Sequence, residues 1–128
     1  MSHKLKKEKE GLGITIAFSG IVEADEVDKL QDQINSDESF PKLRYQVWDF
    51  SQAEEINITF DQIQNIAMKT AVASGRNPKL RIAIIPRKTS HNVLGETFHT
   101  FEKVWGSGES KSFRDIKAAK EWCTRGKK

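Results

Sequence analysis

Two stretches decide the fold: Leu43-Arg44-Tyr45-Gln46-Val47-Trp48-Asp49-Phe50 and Leu80-Arg81-Ile82-Ala83-Ile84-Ile85. Each is apolar at most positions on both faces of an extended chain, the pattern of an inner strand covered on two sides. Pro86 ends the second. Between them, Thr59 with Gln62 three residues on forms a capping box. Ile63, Ile66, Ala67, Thr70 and Ala71 then recur at helical spacing, small enough for a helix to lie close to a sheet. Gly75 closes that helix and Asn77-Pro78 opens a turn. A strand, a helix and a second buried strand in this order imply a crossover connection and parallel pairing of the two strands.

Working towards the N-terminus, Val27, Leu30 and Ile34 mark a helix from about residue 23, with acids in its first turn, stopped by Asn35-Ser36-Asp37-Glu38. Ile14, Ile16 and Phe18 alternate with Thr15, Ala17 and Ser19 as a strand with one buried face, which Gly20 is expected to end. Gly11-Leu12-Gly13 reads as a hairpin turn back to a Lys-rich edge strand over 4–10. Towards the C-terminus, Leu94, Phe98, Phe101 and Trp105 fall at helical spacing after a cap at Thr89 or Ser90. A short strand over 110–113 and a last helix from Asp115, with Ile116, Ala119 and Cys123 inward, complete the chain. The expected fold is a single α/β domain over 1–128. It has a mainly parallel sheet of about five strands, about four helices and an N-terminal antiparallel hairpin, with 1–3 and 125–128 frayed.

Composition narrows the function classes. The 128 residues suit one hydrophobic core, and no apolar run approaches the roughly 20 residues that span a bilayer. The N-terminal Lys residues are not followed by the apolar segment of a signal peptide, so a cytoplasmic location is expected. Cys123, the single cysteine, excludes an internal disulfide and reads as a buried apolar filler. The net charge of +3 is divided unevenly: +2 over residues 1–10, −4 over 11–110 and +5 over 111–128. Basic ends could attract an anionic partner. No aromatic residues are interleaved with the Lys runs as base-stacking platforms, however, so no nucleic acid is expected.

Catalytic signatures are missing. Gly11-Leu12-Gly13 precedes a strand and lacks the lysine and hydroxyl of a phosphate loop, and no Gly-x-Ser-x-Gly elbow occurs. His91 and His99 lie eight residues apart, two helical turns, too far to share a metal. Glu96, His99 and Glu102 read as solvated helix charges. We therefore expect no enzyme, no metal and no cofactor.

Binding residues are sought where parallel sheets meet ligands, at the carboxyl ends of strands. Residues 51–58 read as a polar loop there, and Asp49, Ser51, Asn57, Thr59 and Asp61 gather around it in sequence. Thr59 opens a helix whose free N–H groups favour an anion. A phosphate on Thr59 would gain from them and be opposed by Glu54, Glu55 and Asp61, while as a plain cap Thr59 would serve only the helix.

Val47-Trp48-Asp49-Phe50-Ser51 is similar to the strand-ending Asp-Leu-Ser of STAS domains, the anti-sigma factor antagonist family. Gly20, Trp48-Asp49, Leu80-Arg81-Ile82-Ala83-Ile84 and Phe113-Arg114-Asp115-Ile116, followed by Ala118, Ala119 and Trp122, resemble the SpoIIAA-like subgroup over roughly residues 12–123. The resemblance implies a STAS-like fold and a bacterial, non-enzymatic regulatory module that docks a protein partner. It also implies a phospho-acceptor near Thr59, although Asn57-Ile58-Thr59-Phe60-Asp61 departs from the family's Asp-Ser-[Ser/Thr]-Gly. The subgroup resembles lipid-carrier domains in fold. That implies an alternative, a small apolar ligand between helices and sheet in a pocket drawn from Trp48, Phe98, Phe101 and Trp105. A homodimer through the first edge strand is the remaining expectation, with Lys6, Lys7 and Lys9 placed to block it.

Overall fold

The computed structural model describes residues 3–87, 98–99 and 109–125. Strands β1 (His3–Glu8), β2 (Gly13–Glu23), β3 (Tyr45–Asn57), β4 (Arg81–Ile85) and β5 (Glu109–Ser112) form one sheet in sequence order. β1 runs antiparallel to β2, from His3 opposite Phe18 to Glu8 opposite Gly13, and every other pairing is parallel. The two deciding stretches lie side by side as expected, with Tyr45 opposite Arg81 and Asp49 opposite Ile85.

Three helices stand among the described residues: α1 (Ala24–Ser36), α2 (Phe60–Ser74) and α3 (Ile116–Thr124). The fourth expected helix, with its cap at Thr89 or Ser90, lies outside the described residues apart from Phe98 and His99, which are helical. Of the frayed ends, residues 1–2 and 126–128 lie outside as well.

Side chains alternate across the sheet, so the inner strands β3 and β4 feed two cores, one on each face. On one face Ile14, Ile16, Phe18 and Trp48 pack with Val27, Leu30 and Ile34 of α1 and Ile63, Ile66 and Ala67 of α2. On the other, Tyr45, Val47, Ala83 and Ile85 pack with Ala119 and Cys123 of α3. Ile116, expected inward, is instead 37% exposed, because only the stripe of α3 through Ala119 and Cys123 reaches the sheet. Asp115 caps this helix, its carboxylate accepting from Ala118 N–H at 2.9 Å.

The main correction concerns strand length. Gly20 does not end β2. It sits at φ +70°, which glycine adopts without steric cost, beside a register shift, and the strand continues to Glu23. Residues 51–57, read as a polar loop, are the second half of β3 and pair with that continuation, Val22 opposite Ile56 and Glu23 opposite Asn57. The bulge hides this in the sequence: it spaces the inward positions Ala53 and Ile56 three residues apart, so the period of two breaks.

Candidate functional site

The five residues expected around a loop are spread along β3 and the start of α2. Asp49 and Ser51 are half-buried in mid-strand, where the Asp49 carboxylate accepts the Ser51 N–H at 2.9 Å. Asn57 ends the strand and donates to the Glu23 carboxylate at 3.0 Å. Asn57 lies six positions beyond Ser51 along the strand, a span of about 20 Å. Thr59 and Asp61 are exposed at the start of α2. Thr59 completes the expected capping box: its hydroxyl accepts from Gln62 N–H at 3.2 Å, and its own N–H donates to Gln62 Oε1 at 2.8 Å. Asp61 shares a surface cleft with Asp25 and Asp28 of α1, a negative setting that opposes added phosphate. Among the described residues no group of three His, Cys, Asp or Glu side chains could hold a metal, and no helix is long and apolar enough to cross a membrane.

The apolar residues give a different result. Trp48 and Phe98 line one cavity of about 80 Å³ between the sheet and helices α1 and α2. Phe101 and Trp105 lie outside the described residues. The floor is the upper face of β3 and β4. There Gln46, Trp48 and Phe50 project on one side at successive alternate positions, beside Ile82 and Ile84. The Trp48 indole N–H donates to Gln46 Oε1 at 2.9 Å, which pairs the indole donor with the amide oxygen inside an apolar wall. Phe50 is held by a stack on Phe18, with ring centres 4.5 Å apart and planes 9° from parallel. The helices supply Val27 and Gln31 from α1 and Ile63, Ile66 and Thr70 from α2. An ion pair of Lys69 with Asp28 at 3.0 Å, and a longer one with Asp32 at 3.4 Å, tie the two helices together on their outer side.

Reasoning from sequence missed Gln31, Gln46 and Thr70 as cavity residues. The signal for Gln31 was present. It stands four residues after Val27 and three before Ile34, a polar side chain on a stripe that must be buried. It is 5% exposed. Near the far edge of the sheet, His99 bridges two hydroxyls of β5, Nδ1 at 2.6 Å from Ser110 Oγ and Nε2 at 2.8 Å from Ser112 Oγ, which docks the Phe98 segment onto that edge.

No protein-family model and no curated protein matches the sequence. Among solved structures, this chain is similar to an uncharacterized protein of the DUF3478 family with a SpoIIAA-like fold from Shewanella loihica PV-4. The TM-score is 0.55 at 13% identity, over 95% of this chain and 92% of that one. The fold is SpoIIAA-like. At that identity the likeness carries the architecture of strands, crossovers and helices. It assigns no activity to the cavity.

Proposed function

We propose that this chain is a non-enzymatic binding module of SpoIIAA-like fold that holds a small apolar ligand, or the apolar end of a larger one, between its sheet and helices α1 and α2. One observation carries the reading: the cavity lined by Trp48, Phe50, Ile66 and Phe98. Close-packed interiors leave few voids larger than a water molecule, so a space of about 80 Å³ with aromatic walls is a departure from ordinary core. Its size sets the scale of the occupant. Sites for drug-sized ligands run to roughly 300–1,000 Å³, and a dry apolar cavity of about 150 Å³ holds benzene. At about half that volume, this cavity suits a small ring or the end of an apolar chain. Docking of a protein through residues 51–61 has no comparable support, because the residues proposed for it are spread along a strand and a helix start.

The test is a titration of the ¹⁵N-labelled chain with cyclopentane, following amide shifts. Saturable shifts at Gln31, Trp48, Ile66 and Ile82, lost in an Ala73→Leu variant that fills the space, are the expected result. Absence of saturable shifts at those positions, or unchanged shifts in Ala73→Leu, would overturn the reading.

A further inference from the structure

Among the described residues that line this cavity, Gln31 is the buried polar group whose hydrogen bonding is incomplete. Its amide orientation is settled by its neighbours. The Ile66 carbonyl can only accept, and it receives Gln31 Nε2 at 3.0 Å and the Thr70 hydroxyl at 3.0 Å. Having given its proton to Ile66, Thr70 Oγ1 accepts from the same Gln31 Nε2. Both amide protons of Gln31 are thereby used within α2, and the atom left over is Oε1. It is buried and has no hydrogen-bond partner among the described residues. On the floor of the cavity, Gln46 has its oxygen occupied by Trp48. No ionisable side chain is among the described residues that line the cavity.

We infer that the cavity selects neutral apolar ligands that carry a hydroxyl or N–H donor, and that Gln31 Oε1 is the atom that receives it. The inference rests on the ligand-binding reading above and adds the chemical class. A buried acceptor left without a donor carries its full desolvation penalty, so a ligand that supplies the donor recovers that penalty and a pure hydrocarbon does not. A ligand with only an acceptor would set oxygen against oxygen. An anion would add repulsion from Oε1 and find no cation on the cavity wall among the described residues. A hydrophobic wall with one convergent polar atom is the usual division of labour in small-molecule sites, the wall for affinity and the polar atom for orientation.

Cyclopentanol and tetrahydropyran are isomers of nearly equal volume, and only the alcohol donates a hydrogen bond. Each is titrated against the ¹⁵N-labelled chain and against Gln31→Leu, with cyclopentane as the apolar reference. Cyclopentanol should bind about tenfold more tightly than tetrahydropyran to the native chain, the difference expected of one well-made hydrogen bond. In Gln31→Leu that preference should vanish while cyclopentane still binds. Equal binding of the two isomers to the native chain, or an unchanged preference in Gln31→Leu, overturns the role of Gln31 and leaves the cavity reading standing. If none of the three compounds binds, both fall. Should Gln31→Leu fail to fold, the comparison of isomers on the native chain decides alone.

Discussion

Gly13 lies directly beneath the ring of Tyr45: a Cβ built on Gly13 would stand 2.0 Å from Tyr45 Cζ and 2.4 and 2.5 Å from the two flanking ring carbons. The two residues are register partners on β2 and β3. The missing side chain lets the phenol lie across the neighbouring strand and reach β1, where its hydroxyl donates to Glu8 Oε1 at 2.7 Å. Gly13 thus connects three strands through a contact made by its own emptiness.

Gly13→Ala should therefore destabilise the fold by about 1–3 kcal/mol, the range for an inserted group in a close-packed site. Adding Tyr45→Val should recover part of that loss, because the two positions are coupled and their effects will not add. Urea unfolding of the four members of the cycle measures this. Additive effects would show that the ring is not what forbids a side chain at Gly13.

Glu8 makes stability depend on pH. Burial raises its pKa, but hydrogen bonds from Lys120 and Tyr45, with the Lys120 charge, outweigh burial and hold the carboxyl below its ordinary 4.5. A folded pKa below the unfolded one means the stabilisation is complete above about pH 4.5 and fades as pH falls through the depressed folded value. Glu8→Gln should be less stable than the native chain at pH 7, and the gap should be smaller at pH 3. Urea midpoints at the two pH values check this, and a constant gap would remove Glu8 from the account of acid sensitivity.

Asn77 is a buried tie rather than only a turn former. It is 3% exposed, and its side-chain amide donates to the Phe40 carbonyl at 2.9 Å and the Leu43 carbonyl at 2.7 Å. These bonds hold the chain leading into β3 against the chain leading into β4. Asn77→Ala removes a donor from both carbonyls, leaving Phe40 with only the Leu43 N–H at 3.1 Å, and should cost about 1–3 kcal/mol. Asn77→Asp should cost at least as much, since a carboxylate cannot donate. Equal stability of Asn77→Asp and the native chain in thermal unfolding would contradict the assignment.

Cys123 should be inert in the folded protein. Burial pushes its thiol up to about 12, with the nearby Arg81 and Lys120 charges acting in the opposite sense, and the side chain is 1% exposed. The thiolate is the reactive form, so modification by iodoacetamide at pH 8 should be far slower in buffer than in 8 M urea. Comparable rates in the two conditions would mean that α3 opens readily from the sheet.

Local patterns in the sequence determined much of this protein. The two-sided apolar runs at 43–50 and 80–85 specify inner strands, since every position of a strand covered on both faces must tolerate burial. Thr59 with Gln62 marks the start of α2 because capping is satisfied within four residues. Val27, Leu30 and Ile34 mark the inward stripe of α1 for the same local reason. Trp48 and Phe98 were legible as apolar residues that could meet between helices and sheet, and they do line one cavity.

What tertiary structure alone decided depends on partners far away in the chain. The second half of β3 is polar and interrupted by a bulge, and it is extended because β2 runs on through Gly20 to pair with it. Gly13 reads as a turn residue in one dimension, and its real constraint, the Tyr45 ring, comes from a strand 32 residues later. Gln31 reads as one more helix amide. Its exposed-looking chemistry becomes a buried acceptor only once α2 uses both its protons and the sheet closes beneath it. Periodicity reports which face of an element is covered, while the identity of the covering atoms is a property of the packed chain.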